Sequence, residues 1–204
     1  MDCLINKNMK KILTICLVLT LLLSFNLGAE DYYDTGSQIF TITVGVDLPF
    51  TNTVKIGDKF QTGYFWGEDG THFNIGGYGS IDYEVFTTSK IAIGGEIGYQ
   101  FNRCLDEKLF TQVPLLFKVT YLPVQGKFEL PISLGVGFNY LSYNNKSMFA
   151  LCTTLSVGAR YFITDNWALG IKGGISFTPE LYFKSEKNGY HSSIPAQLFA
   201  SYRH

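Results

Sequence analysis

Apolar residues alternate with small or polar residues along most of the chain after residue 38. Between residues 156 and 177, the odd-numbered positions are mostly aliphatic or aromatic. The even-numbered positions there are mostly Gly, Ser or Ala, with two cations, Arg160 and Lys172. A polar corner at residues 164–166 lies between Tyr161 and Trp167. A period of two on both sides of a short Asp/Asn turn predicts a β-hairpin.

The same alternation recurs in eight segments. The predicted strands are 40–50, 73–86, 91–101, 109–122, 128–140, 148–162, 167–177 and 193–202. Short turns follow the second, fourth and sixth strands, whereas long loops at residues 51–72 and 178–191 follow the first and seventh. Residues 30–37 are expected to form a loose lead-in. An even number of long strands with alternating loop lengths is typical of a transmembrane up-and-down barrel.

Alternation alone does not say which face of the wall meets lipid, because a soluble barrel of lipocalin type holds its apolar side chains inside. The polar face of a soluble barrel would meet water and be rich in charge. Here that face is mainly Gly, Ser, Thr and Ala, which suit a narrow lumen. We therefore expect an all-β fold, an eight-stranded antiparallel up-and-down transmembrane β-barrel with its apolar face on the lipid.

Aromatic residues on the apolar face cluster at the strand ends, and aliphatic residues lie between them. Two aromatic girdles form where a barrel crosses the two membrane interfaces. The predicted girdle residues are Tyr83, Tyr121, Tyr161, Trp167 and Tyr202 at the short-turn end, and Phe50, Phe73 and Phe138 at the long-loop end.

Composition agrees with this fold class. Charged residues make up 16% of the 204 residues, below the share of about 25% in ordinary soluble domains. The formal net charge is -1, so no basic excess indicates a nucleic-acid partner.

The N-terminus has the order of a secretory signal. Lys10 and Lys11 precede an apolar run at residues 12–23, and Ala29 ends the segment. This order predicts a signal peptide at residues 1–29, with Met9 as an alternative start, and a barrel domain at residues 30–204. An uncleaved anchor is the alternative, but the run is short for a span of about 20 residues. The expected location is the outer membrane of a double-membraned bacterium.

Charged residues on the lumen face form the main candidate site. An isolated charge inside a barrel costs several kcal/mol, so we expect these side chains to pair. The predicted network comprises Asp82, Glu84, Glu96, Glu129, Lys118, Arg160, Lys172 and Arg203. Strand direction places three acids and three bases near the short-turn end, which predicts a salt-bridged plug. A polar permeation path is the alternative.

The sequence resembles the small outer-membrane barrels of the OmpX, OmpW and OmpA-transmembrane type. The run from Gly158 to Gly170 and the closing alternation of Leu198, Ala200 and Tyr202 carry the resemblance. Such barrels often end on an aromatic residue that the assembly machinery recognises, whereas Arg203 and a final His follow Tyr202 here. The resemblance implies a structural barrel or a narrow passage for small hydrophobic compounds.

Two other functions stay open. The long loops contain aromatic residues, among them Tyr64, Phe65 and Trp66, that could bind a host surface or a small hydrophobic ligand. Barrel lipid-A deacylases place a His and a Ser two residues apart, as His191 and Ser193 are here. In that family, the acid that orients the His lies downstream of it in the sequence. The candidate acids here, Glu180 and Glu186, lie upstream of His191, so we expect no enzyme.

Neither a cofactor nor a metal is expected, since His72 and His204 lie far apart along the chain. Cys104 and Cys152 remain after removal of the signal, and they allow one disulfide without requiring it. The expected partners are outer-membrane lipids, including a lipopolysaccharide-like glycolipid, and the barrel assembly machinery.

Overall fold

The computed structural model describes residues 32–56, 59–65, 73–104, 108–143, 146–180 and 189–204. Its strands are β1 (Gln38–Ile56), β2 (Lys59–Tyr64), β3 (Gly76–Phe86), β4 (Ile91–Arg103), β5 (Leu109–Tyr121), β6 (Phe128–Glu129), β7 (Ile132–Tyr143), β8 (Lys146–Phe162), β9 (Trp167–Glu180) and β10 (Gly189–Arg203). The predicted signal peptide at residues 1–29 lies outside these ranges. Within the described ranges, no helix is long and apolar enough to cross a membrane.

Antiparallel neighbours close into one barrel. The order around the wall is β10-β9-β8-β7-β5-β4-β3-β1, and β1 pairs with β10 at the seam. There Phe40 lies opposite Tyr202, and Val46 lies opposite Ala196. With β6 and β7 as one interrupted strand and β2 outside the ring, the wall has eight strands. The predicted fold class is confirmed.

The predicted fifth strand is interrupted by a proline. β6 ends at Glu129 and β7 begins at Ile132. Pro131 between them has no amide hydrogen to donate, although its carbonyl accepts a hydrogen bond of 2.8 Å from the amide of Gly158. The register against β8 is unchanged across the interruption, so lumen and lipid faces stay in phase.

The predicted loop at residues 51–72 is wrong in its first part. β1 continues to Ile56, and β2 pairs back along it. The predicted loop at residues 178–191 is also shorter, because β10 starts at Gly189 and pairs with both β9 and β1. Beyond the membrane both faces of a sheet meet water, so a segment such as Thr51, Asn52 and Thr53 has no apolar face to detect.

The two faces of the wall are oriented as predicted. Outward-facing Ile171 and Leu198 are 61% and 62% exposed, whereas inward-facing Asp82 and Glu129 are 0% exposed. An apolar outside and a polar inside would be unfavourable in water, but they match a barrel surrounded by hydrocarbon.

Most of the predicted girdle residues lie on the outside. The exposed ones are Tyr83, Tyr121, Tyr161, Trp167 and Phe138. Tyr202 is half-buried and packs against Trp167 with ring centroids 5.0 Å apart. Phe50 is half-buried at the opposite end of the wall.

Phe73 does not belong to the outer girdle. It precedes β3 and forms an isolated bridge with Cys104. Its ring packs against Phe110, with centroids 5.1 Å apart, and against His191 at 5.6 Å. The prediction for Phe73 is wrong because β3 begins only at Gly76, so the period of two does not extend back to this residue.

Candidate functional site

The buried charges of the barrel lie in its lumen. The structure places all the predicted network residues there: Asp82, Glu84, Glu96, Glu129, Lys118 and Arg160 are buried, and Lys172 and Arg203 are partly buried. They form two separate groups rather than one plug at the short-turn end. We refer to Asp82, Glu84, Glu96, Lys118 and Lys172 as the central cluster, and to Glu129, Arg160 and Arg203 as the end cluster.

Lys118 is the hub of the central cluster. Its ammonium forms a short ion pair with Asp82. The same Nζ lies 3.4 Å from the Glu96 carboxylate and 3.8 Å from that of Glu84. Lys172 reaches the other oxygen of Asp82 at 3.5 Å. One cation therefore holds three buried carboxylates, and a second cation supports one of them.

Two glycines make room for Lys118. In the register of the sheet, Lys118 lies opposite Gly94 on β4 and opposite Gly135 on β7. Gly94 in turn lies opposite Glu84 on β3. Because neither glycine carries a side chain, the lysine can extend along the lumen wall to Asp82 and Glu84 on β3, which is not its neighbour, as well as to Glu96 on the adjacent β4.

Hydroxyl groups complete the central cluster. The phenol of Tyr78 donates to Glu96, and the hydroxyl of Thr120 donates to Glu84. Thr120 also lies 2.7 Å from the hydroxyl of Ser133. Buried carboxylates with both ionic and neutral donors are well satisfied, which fits a structural network.

The end cluster closes the short-turn end of the lumen. Arg160 binds Glu129 with two nitrogens, Nε at 2.7 Å and Nη2 at 2.6 Å from the carboxylate. Arg203 approaches the same carboxylate at 4.0 Å. The phenol of Tyr33 donates to both carboxylate oxygens, at 2.9 and 3.1 Å. Burial raises the pKa of Tyr33, which keeps its hydroxyl protonated as a donor.

Tyr33 shows that the lead-in before β1 is not loose, contrary to prediction. Its ring is 2% exposed and stacks on Phe86, with centroids 3.9 Å apart and planes inclined by 6°. Ile39, Ala92 and Leu122 complete this small apolar core. The sequence signal for this ordered lead-in is the pair of aromatic residues at 32–33 within a polar stretch. A single buried ring produces no alternation of apolar and polar positions, so the sequence pattern does not predict its burial.

Arg203 also has a structural role at this end. Its guanidinium lies 4.0 Å from the centre of the Phe162 ring, and its Nε donates to the carbonyl of Asp165 at 2.6 Å. Arg203, which follows the terminal aromatic residue Tyr202, thus helps to close the lumen.

Polar residues, uncharged except for Asp47, lie in the lumen toward the long-loop end. Asn102 donates to Asp47 at 3.1 Å, and Gln100 lies 3.4 Å from the hydroxyl of Ser193. On the other side of this layer, the amide of Asn139 donates a hydrogen bond of 2.7 Å to the side-chain oxygen of Gln112. Asp47 is 0% exposed, and one of its oxygens has no hydrogen-bond partner among the described residues.

An apolar group lies above this polar layer. It comprises Cys104, Phe110, Leu141 and Ala150, with Phe73 and Met148 packed against it. His191 is 3% exposed and meets Phe110 edge to face at 5.7 Å. Neither imidazole nitrogen has a hydrogen-bond partner in the described part of the chain. We call this group, with His191, the mouth seal.

Within the described residues, the mouth seal does not bring His191 into hydrogen-bond contact with a nucleophile or an acid. His191 hydrogen bonds neither to Ser193 nor to any acid within the described residues. The side chains of the two candidate orienting acids, Glu180 and Glu186, lie outside the described residues. A general base must be within hydrogen-bond reach of its partner, and this arrangement does not provide that contact.

No disulfide joins the two cysteines, both of which lie in the described part of the chain. Cys152 is buried, with its sulfur 3.7 Å from the hydroxyl of Ser176 and 3.6 Å from that of Thr178. Cys104 belongs to the mouth seal. The candidate disulfide is thus replaced by two separate buried thiols.

One small cavity lies between these layers, lined by described residues of the lumen. Its volume is about 30 Å³, and Tyr78, Glu96, Pro114, Lys172 and Gln197 are among its lining residues. A single water needs about 10–15 Å³, so the cavity fits isolated waters rather than a solute. Among the described residues, no group of three or more His, Cys, Asp or Glu side chains could hold a metal ion.

Comparison with known sequences identifies relatives of this chain. A protein-family model matches residues 26–202. An uncharacterized protein of Treponema pallidum (strain Nichols) is 32% identical over 105 residues, which are 51% of this chain and 47% of that protein. The aligned part thus spans about half the length of this relative.

Two solved structures share the fold. Neisserial surface protein A aligns with a TM-score of 0.55 at 9% identity, over 81% of this chain and 97% of that one. The outer membrane protein OprG from Pseudomonas aeruginosa aligns with a TM-score of 0.52 at 10% identity, over 86% and 99%. The chain belongs to the family whose model covers residues 26–202, and its fold is that of the small eight-stranded outer-membrane β-barrels.

Proposed function

We propose that this protein is a sealed outer-membrane barrel, a structural and surface-displaying protein rather than a pore. The observation that supports this most is that described side chains fill the lumen in four successive groups. The end cluster, the central cluster, the polar layer and the mouth seal follow one another between the two ends. An eight-stranded barrel leaves little lumen beyond its side chains, and a charged or hydrophobic solute would have to displace ion pairs.

Planar-bilayer recording tests the proposal. The folded barrel is expected to give no conductance steps. Glu129→Ala, which removes the anchor of the end cluster, is expected to stay silent while lowering the melting temperature, because the central cluster and the mouth seal still fill the lumen. Regular conductance steps from the unmodified barrel would contradict a sealed lumen and favour the narrow passage.

Surface binding is the second candidate function, and the extension of the sheet favours it. β1 continues past Phe50 to Ile56, and β2 pairs alongside it. The β-sheet therefore projects beyond the aromatic girdle at the long-loop end. Tyr64 and Phe65 are each 45% exposed on this extension. Exposed aromatic side chains on a fixed scaffold suit contact with a host surface or a ligand.

The binding function can be tested by surface display. Residues 52–64 are replaced by a two-residue Asn-Gly turn, and adherence of displaying bacteria to cultured host cells is measured. A matched control replaces residues 164–166 at the opposite end with the same turn. Loss of adherence in the first variant alone supports binding, whereas equal adherence of both variants and the unmodified barrel refutes it.

We also propose that residues 1–29 direct export and that the barrel assembly machinery inserts the mature chain. N-terminal sequencing of the protein from purified outer membranes should begin at residue 30. A mature chain that still carries the apolar run at residues 12–23 would instead indicate an uncleaved anchor.

A further inference from the structure

The lipid-facing wall has a broad depression lined by described residues. It has a volume of about 740 Å³ and crosses the outer surface of β1, β10, β9 and β8. Its outward rim consists of Val44, Val46, Val157, Ile171 and Leu198. Lys172 and Gln197 border it only from the lumen side of the wall, where Lys172 binds Asp82. The outward side chains around the depression are therefore entirely apolar.

The depression lies midway between the two girdles. On β9, Gly173 falls between Trp167 at one interface and Phe177 at the other. On β10, Ala196 lies opposite Gly173 and six positions from Tyr202. This depth corresponds to the hydrocarbon core of the bilayer, where headgroups and water do not reach.

Small residues at its floor make the depression, and the sheet does not cover them. Two other outward glycines have aromatic neighbours across the strands: Gly95 lies opposite Tyr83 and Phe117. Gly79 lies opposite Tyr99. These large rings flank the two glycines without covering them, since a Cβ added at either would meet only a backbone carbonyl, at 3.6 Å.

Gly173 is different, because its cross-strand partners are Ala196 and Val157. A Cβ added there would have its nearest contact with the carbonyl of Pro195, at 3.8 Å. The backbone therefore tolerates a side chain at this position, and its absence leaves an open concave surface.

We propose that this depression binds one fatty acyl chain of a membrane lipid in a fixed position. The chemistry of the lining and its depth both select a hydrocarbon, because a buried polar group would find no partner there. A flexible chain can follow a concave surface. A second copy of the barrel fits less well, since an isologous contact would place one depression against another and leave a void.

Photo-crosslinking in vesicles tests the proposal. The barrel is folded into phosphatidylcholine vesicles that contain a phosphatidylcholine with a diazirine in the middle of one acyl chain. After irradiation, mass spectrometry locates the adducts. Adducts are expected to concentrate on the outward residues of β1, β8, β9 and β10, such as Val46 and Ile171, rather than to spread evenly around the wall.

Two matched glycine variants provide the control. Gly173→Leu fills the depression and should lower this labelling about tenfold, equivalent to about 1.4 kcal/mol, the contribution of roughly two buried methylene groups. Gly95→Leu adds the same side chain to the opposite wall, where a Cβ is 3.6 Å from its nearest neighbour, and should leave labelling unchanged. Folding of each variant is checked by its heat-modifiable migration on a gel. If Gly173→Leu does not fold, Ala196→Leu is a second variant that fills the depression.

Three results would overturn the proposal. The first is even labelling around the barrel. The second is equal labelling of the filled variants and the unmodified protein. The third is a cross-linked dimer joined through the depression, which would assign this surface to a second copy.

Discussion

Removal of the central cation is the sharpest test of the lumen network. Lys118→Met keeps an unbranched side chain of similar length, but it leaves Asp82 with Lys172 alone and leaves Glu84 and Glu96 without an ion pair among the described residues. Lys118 lies within 3.8 Å of all three acids and is 6% exposed, so little solvent screens the loss. Breaking a buried ion pair by removing one partner costs about 3–5 kcal/mol. With a urea dependence of about 2 kcal/mol per molar, the unfolding midpoint should fall by roughly 2 M.

The assay is urea unfolding of the barrel in lipid vesicles, followed by the gel shift between folded and unfolded forms. Lys127→Met is the matched control, because Lys127 is exposed and lies over the ring of Tyr161 at 5.5 Å. It should change stability by less than about 0.5 kcal/mol.

Acidification should partly restore the Lys118 variant. At about pH 4, near the unperturbed pKa values of Asp and Glu, protonation of a carboxylate removes the charge that the missing lysine leaves uncompensated. The difference between variant and unmodified protein should therefore shrink as the pH falls. If both Lys→Met variants lose the same stability, or if the difference is independent of pH, the charge network does not support the barrel as described.

The remaining predictions use the same assay. Gly94→Ala should lose about 1–3 kcal/mol by overpacking, because its Cβ would overlap the backbone of β3, whereas Gly95→Ala should be nearly neutral; equal effects would contradict the lumen packing. Tyr33→Phe should lose about 1–3 kcal/mol, since Glu129 loses a donor to both oxygens. Asp47→Asn should leave stability unchanged or raise it, because no described cation pairs with this carboxylate; a clear loss would indicate an additional partner.

The sequence predicts the wall of this barrel well where one face meets lipid. The predicted start of β9 at Trp167 and the start of β4 at Ile91 agree with the structure, because alternation there is enforced by hydrocarbon on one side. Outside the membrane this constraint ends. The continuation of β1 to Ile56 therefore gives no signal, although it is a regular ladder with β10 and β2.

The lumen contacts are only partly predictable. Side-chain parity identifies Lys118 as an inward cation, but its partners depend on the stagger between strands. Asp82 lies two strands away on β3, and the register places Glu84 rather than Asp82 directly across Gly94 from Lys118. Parity also cannot reveal Tyr33, which enters the lumen from outside the strands and closes the end cluster.

The most direct test of the transmembrane barrel is a spin-label scan along β9, from Trp167 to Glu180, in lipid vesicles after replacement of both remaining cysteines. Outward positions such as Leu169, Ile171 and Ile175 should be accessible to oxygen dissolved in the bilayer and protected from a water-soluble relaxation agent. Inward positions such as Gly174 and Ser176 should be protected from both, since the lumen is filled. Outward positions that meet the water-soluble agent would contradict the lipid-facing assignment, and inward positions that meet it would contradict the sealed lumen.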